Sequence, residues 1–172
     1  LGQVRGALSV KDEQHALEQL LAAPSQMEAV LAYDKFFAEA AQKLKAYKGI
    51  LFMGRGINYP IALEGALKLK ELAYMHAEGY AAGEMKHGPL ALIDERMLIV
   101  MVCPSDRNYE KALSNLGEAR ARGGRIISIG TGDNHALKAV SDHYLSLPKA
   151  EWNVNPILES IPVQLLAYHV AN

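Results

Sequence analysis

The chain has 172 residues, half of them hydrophobic and 22% charged, with 18 basic and 19 acidic side chains and a formal net charge of −1. That balance suits one soluble globular domain with a sizeable core, and it excludes the basic surface that a nucleic-acid or anionic-lipid partner would need. A single cysteine, Cys103, excludes an internal disulfide and a paired-cysteine zinc or redox motif; with no apolar run of membrane-spanning length, the cytoplasm is the expected compartment. In chain order, residues 9–21 read as a first helix, and Pro24 is expected to end it. Residues 25–47 then read as a longer packing helix, with Met27, Val30, Leu31, Phe36, Phe37, Ala40 and Leu44 on its apolar face. Residues 1–23 are accordingly expected to form a helical arm, and 24–172 the domain proper. Beyond Gly49, short apolar runs alternate with helical patterns: strands over 50–53, 97–103, 125–129 and 143–147, with a further strand at 76–81. Helices are expected over 59–74, 109–122 and 156–170, and a shorter one near 83–93. Runs such as MLIVMVC and RIISI are apolar on both strand faces, which is what a sheet covered on each side requires. The fold class that follows is α/β, a three-layer sandwich with a mostly five-stranded parallel sheet and right-handed crossovers.

The strongest chemical pattern lies in the helix at 59–74. At about 100° per residue, Glu64, Lys68 and Glu71 form one stripe roughly 60° wide. Ile61 and Leu72 lie on one side of it, and Leu63, Leu67 and Tyr74 on the other. A solvated helix face would be broader, so the stripe is expected to face a confined space such as a cleft or a subunit interface. Opposite charges at i,i+3 and i,i+4 also stabilise a helix wherever they sit, which is the plainer reading. The chemical reading makes one carboxylate a general base, for which the ideal proton affinity lies near neutrality.

Two strand-to-helix turns carry glycines, Gly54-Arg55-Gly56 and Gly130-Thr131-Gly132, at places where free helix N–H groups can meet an anion. Neither matches the dinucleotide fingerprint, because Tyr59 and His135 stand where its third glycine belongs, so no nicotinamide cofactor is expected. Ordinary turns, with Arg55 at a surface or interface, are the plain alternative. His87, in Met85-Lys86-His87-Gly88-Pro89, stands before a turn, where an imidazole is accessible for proton transfer or is simply a loop histidine. His76, His135, His143 and His169 show no paired metal-ligand spacing, and Cys103, closing an apolar strand, reads as core.

Taken together, LFMGRGINYPIALEGALKLKELAYMHAEGYAAGEMKHGPLALI, ARARGGRIISI and IPVQLLAYHVA resemble the glutamine–fructose-6-phosphate aminotransferase family over most of the chain. The match is to the second sugar isomerase (SIS) subdomain of that family's isomerase half. The resemblance implies the SIS fold and no metal or organic cofactor. The implied reaction converts fructose 6-phosphate and glutamine to glucosamine 6-phosphate, a precursor step toward UDP-N-acetylglucosamine. It implies that Glu71 moves a proton between C1 and C2, that Lys68 stabilises the charge developing on the open-chain sugar, and that His87 assists ring opening in the neighbouring subunit of a homodimer. Lys68, Glu71, Glu64 and Arg55 form the expected substrate-binding set. The family's glutaminase half, its first SIS subdomain with a Ser/Thr-rich phosphate loop, and a C-terminal tail bearing a Schiff-base lysine do not occur in this sequence. It is therefore expected to be a fragment that folds, binds sugar phosphate weakly and has little synthase activity alone. The alternatives are a stand-alone phosphosugar-binding or dimerisation module without catalysis, and a simple phosphosugar isomerase.

Overall fold

The computed structural model describes residues 2, 4–44 and 46–172; Leu1 and Gln3 of the expected arm and Lys45 of the expected second helix lie outside them. Five strands, β1 (Gly49–Gly54), β2 (Ala77–Ala81), β3 (Met97–Val102), β4 (Arg125–Thr131) and β5 (His143–Leu147), form one sheet in the order β2-β1-β3-β4-β5. Every pairing is parallel. The helices are α1 (Val10–Leu31), α2 (Asp34–Leu44), α3 (Tyr59–Ala73), α4 (Tyr109–Ala121), α5 (His135–Val140) and α6 (Asn155–Ala171).

Alternation along the strands divides the core into two. Ile50, Phe52, Leu98, Val100, Ile127 and Ile129 face a layer made by α1, α2, α3 and α6. Leu51, Met53, Ile99, Met101 and Ile126 face α4, α5 and the segment after β2. Each such side chain, fully buried, contributes about 1.5–3 kcal/mol relative to exposure, so the apolar strands hold two layers where a one-sided sheet would hold one. The expected three-layer sandwich is the observed one.

The helical layer departs from expectation in three places. First, α1 runs through Pro24 without a break and ends at Leu31; the chain turns at residues 32–33 instead. Proline removes one i→i−4 hydrogen bond and crowds the carbonyl four residues earlier. Packing offsets that cost here, because Ala23 and Val30 are buried and the Gln26 Nε2 donates to the Lys149 carbonyl at 3.0 Å. Second, the region 82–92 forms two short 3₁₀ turns in place of an α-helix, Ala82–His87 and Pro89–Leu92, parted by Gly88 at φ 146. Third, α5 has only six residues, too few to show a period, and is held at its start by the Asn134 side chain accepting from the Leu137 N–H at 3.0 Å.

Two glycines let α3 sit close on β1. A Cβ at Gly54 would lie 2.1 Å from the Asn58 carbonyl oxygen, and one at Gly65 would lie 2.6 Å from the Phe52 ring. The first obstacle is backbone and cannot rotate away. Replacing Gly54 by alanine is therefore expected to lower the unfolding free energy by about 2 kcal/mol or more, as overpacking with no soft neighbour does. Urea unfolding of G54A at wild-type stability would contradict this.

One charged side chain lies wholly inside. Glu159, on α6, has no exposed surface and neither carboxylate oxygen has a hydrogen-bond partner. Burial pushes its carboxyl up to about 8, with the Asp106 carboxylate adding to the effect. Because the folded-state value is raised, the unfolded chain releases this proton near pH 4.5 and the folded chain holds it until about 8. Stability from this group is full below the lower value and is lost as pH rises through the upper one. Glu159→Gln, of the same shape and uncharged, is expected to match wild type near pH 4 and to exceed it by about 5 kcal/mol above pH 8. Parallel unfolding curves for the two proteins across that window would exclude the buried neutral carboxyl.

Candidate functional site

The charged stripe on α3 is present. The Lys68 ammonium donates to Glu71 Oε2 at 2.7 Å, with side-chain exposures of 30% and 50%. The hydrogen bond to Glu71 and the nearby Glu71 and Glu64 charges raise the Lys68 ammonium above its ordinary value, against the opposing effect of burial, so it stays charged. Glu64, one turn earlier, is tied down separately: Gln164 Nε2 of α6 donates to its Oε1 at 3.1 Å. Leu63, Leu67, Leu72 and Tyr74 stand exposed around the stripe. Tyr74 ends the helix in the left-handed region at φ 54.

Glu64, Lys68 and Glu71 line neither the small cavity between α2 and β4 nor the cleft near residues 105–108 and 149–152. Lys68 and Glu71 lie nine and twelve residues into α3, about 14 and 18 Å along its axis from the carboxyl ends of the strands. In this chain they form a part-exposed ion pair inside an apolar frame. Helical periodicity shows which residues share a face; it does not show what covers the face.

Arg55 and His87 sit at the other end of the sheet. Arg55 follows β1 and lays its guanidinium against Gly83, where a Cβ would meet Nη1 at 2.8 Å. His87 closes the first 3₁₀ turn, is largely exposed, and lies 4.0 Å from Glu84 Oε2. Among the described residues no hydrogen bond or ion pair joins either to Lys68 or Glu71. The predicted set thus falls into three residues on α3, the Lys68–Glu71 pair and Glu64, and two separate residues beyond the strand ends.

Sequence reasoning missed a cleft of about 450 Å³ at the carboxyl ends of the strands, bounded by Ile57, the loop 105–108, the loop 149–152 and Asn155. Beneath it, Asn58 Nδ2 donates to Asp106 Oδ2 at 3.1 Å, and Asp106 Oδ1 accepts from the Asn108 N–H at 2.7 Å. Asn58 Oδ1 is buried without a partner, as are both oxygens of Glu159. A glutamate in the mostly apolar run PILESIPV was the available signal for a buried carboxyl near Asp106. Cys103 borders the same region, and burial, with Asp106 and Glu159 adding, pushes its thiol up to about 12, so it is inert core. The glycine turn after β4 serves structure: Thr131 Oγ1 accepts from the Ser105 N–H at 3.3 Å, and the Gly132 carbonyl accepts from Ser146 Oγ at 2.8 Å. Among the described residues no three His, Cys, Asp or Glu side chains gather as metal ligands, and no helix is long and apolar enough to cross a membrane.

Known proteins resemble this chain over almost its whole length. Glutamine–fructose-6-phosphate aminotransferase (isomerizing) of Aquifex aeolicus is 51% identical over 169 residues, which is 96% of this chain. The Zymomonas mobilis enzyme of the same name is 45% identical over 174 residues, covering 99% of this chain. The chain spans 28% of the length of each of these relatives. The C-terminal domain of glucosamine-fructose-6-phosphate aminotransferase from Francisella tularensis superposes with a TM-score of 0.91 at 39% identity, covering 98% of this chain and 48% of that one. A family model, the SIS domain, matches residues 43–171, from the end of α2 to the end of α6. By that match and by its doubly covered parallel sheet, the chain belongs to the SIS domain family.

Proposed function

We propose that this chain is a SIS subdomain in the isomerase half of an enzyme that makes glucosamine 6-phosphate from fructose 6-phosphate and glutamine, and that it supplies the proton-moving side chains. The observation that carries the proposal is the Lys68–Glu71 ion pair at 2.7 Å in its apolar frame, on a chain 51% identical to an isomerizing aminotransferase. The Glu71 carboxylate takes a proton from C1 of the open-chain sugar and returns it at C2, so the carboxylate ends unchanged. Between those two events negative charge spreads over the carbon–oxygen or carbon–nitrogen group at C2, and the Lys68 ammonium is placed to stabilise it. Lys68 also holds Glu71 in one rotamer, which lowers the entropy of reaching the reactive geometry. Glu64 adds negative charge that keeps Lys68 protonated throughout.

His87 has another task on this reading. It is exposed, separated from the pair within its own chain, and so free to serve a neighbouring subunit in a homodimer, where it opens the sugar ring. Arg55, at the same end of the sheet, is read as a substrate or interface contact. The proposed compartment is the cytoplasm, and the proposed role is supply of amino sugar for UDP-N-acetylglucosamine.

In the enzyme that carries this chain, Glu71→Gln is expected to lower the isomerisation rate about 100-fold, with the KM for fructose 6-phosphate changed little. A coupled assay showing near-wild-type kcat would leave only the reading of a phosphosugar-binding module without catalysis. Subunit crossing is tested by mixing two inactive variants, E71Q and H87A. If His87 serves the partner's site, statistical hybrids each regain one intact site, and about a quarter of wild-type activity returns. A mixture as inactive as its parents would place His87 outside the neighbouring site.

A further inference from the structure

We infer that the small cavity between α2 and the amino ends of β3, β4 and β5 is a binding site for a small monoanion with a flat apolar body, the class of an aromatic carboxylate. It lies at the end of the sheet opposite Arg55 and His87, and it does not depend on the proposed reaction.

The register of the sheet builds the floor. Leu98 pairs with Arg125, and Ile127 with His143, so the first rows of three neighbouring strands stand side by side. By strand alternation these four side chains share the face that α2 covers. Further along that face Val100, Ile129 and Leu145 are buried in the core. In the first rows Arg125 and His143 stand beside the aliphatic side chains, and a space of about 160 Å³ remains under α2. The helix closes it with Ala40, which presents only a methyl group, and Leu44.

Size and lining define the body of the ligand. An aliphatic cavity of about 150 Å³ holds one benzene ring. The space here is of that size, and Ala40, Leu44, Leu98 and Ile127 give a ring apolar contact. Tyr47 and His143 add two flat walls, the second held edge-on to Phe36 with ring centroids 5.8 Å apart. Flat walls favour an aromatic body over an aliphatic chain, and a hydrated inorganic anion gains nothing from such a floor.

Charge defines the head. Asp142 is the carboxylate of the lining, and it is already engaged: it accepts from Arg120 Nη1 at 2.7 Å and from the Ile126 N–H at 2.8 Å. Against the effect of burial, these partners hold its carboxyl below the ordinary value, so it stays ionised and satisfied. Arg125 reaches it through one nitrogen only, at the longer distance of 3.3 Å. Lys43, on the α2 side, enters no ion pair among the described residues. With Asp142 neutralised by Arg120, the Arg125 guanidinium and the Lys43 ammonium leave an excess of positive charge at the cavity. A carboxylate between them accepts two charge-assisted hydrogen bonds while its ring rests on the floor. Arg125 is half-exposed, so solvent weakens these bonds and the affinity is modest.

Benzoate is the test ligand. Titration followed by ¹⁵N-resolved NMR is expected to shift the amides of Leu44, Ile127 and His143 saturably, with a Kd of about 1 mM at low salt. Benzamide has the ring without the charge, and acetate the charge with almost no body; each is expected to bind about tenfold more weakly. The K43A/R125A variant should lose the preference for benzoate over benzamide. Ala40→Leu, which fills the floor, should abolish binding of both, with circular dichroism checking the fold. Leu98→Ala enlarges the space without touching a charge and should raise the affinity of 2-naphthoate relative to benzoate. E71Q should bind benzoate like wild type, so this site and the catalytic reading stand or fall separately. Absence of saturation up to about 10 mM benzoate, equal affinity for benzoate and benzamide, shifts confined to residues away from the cavity, or an unchanged preference in K43A/R125A would each overturn the assignment.

Discussion

Strand β1 passes into α3 within five residues, and the turn leaves no space for a side chain at Gly54, where the Asn58 carbonyl comes to 2.1 Å from the place a Cβ would occupy. That close approach fixes three things together. It lays α3 on Phe52 through Gly65, so the buried side of the helix is the small one, with Ala62, Ala66 and Leu69 inward and the charged stripe outward. It delivers Asn58 to Asp106 and so shapes the floor between β1 and β3. It also sets the start of α3 at the edge of the cleft with its first N–H groups unoccupied by a side chain. A looser turn would let the helix slide, and the stripe and the cleft floor would lose their registration at once.

The buried carboxyl of Glu159 shows what the sheet's covering helix tolerates. A charge without a partner inside a protein costs several kcal/mol, and the usual escape is to remain protonated. Glu159 takes that escape, because burial disfavours its charged form and the Asp106 carboxylate adds repulsion. Asp106 can remain an acceptor because it has donors: the Asn58 amide and the Asn108 N–H. Glu159 is thereby held as a neutral carboxyl beside a carboxylate whose two oxygens already accept from the Asn58 amide and the Asn108 N–H.

Much of the fold was legible because its signals are local. Short apolar runs mark β1, β3, β4 and β5, those of β1 and β4 bounded by glycine, and a period near 3.6 marks α3, α4 and α6. What was not legible depends on contacts across the chain. Pro24 carries a strong local signal to stop a helix, yet α1 continues because Val30 and Ala23 pack into the core and Gln26 reaches residue 149. The 3₁₀ turns after β2 follow from Ala82 and Met85 being drawn under α4, which spacing alone does not reveal. For the site, the sequence placed Glu64, Lys68 and Glu71 on one face, and the ion pair bears that out, but a pocket cannot be read from one helix. The cleft draws its walls from residues near 57, 106, 150 and 155, and only the sheet order brings those together.

The exposed pair on α3 has a physical consequence for how catalysis would be assembled. An ion pair half in water interacts weakly, since solvent screens it and the flexible lysine loses entropy to hold one geometry. Lys68 and Glu71 are in that condition here, at 30% and 50% exposure. Around them Leu63, Leu67, Leu72 and Tyr74 expose apolar surface that a second body would bury on contact. Such a contact would exclude water from the pair and lower the effective dielectric, strengthening both the hold of lysine on glutamate and its action on a developing negative charge. On the proposed reading the subdomain carries its catalytic groups on a face whose chemistry is weak until covered, so reactivity arises only where substrate and the covering body are both in place.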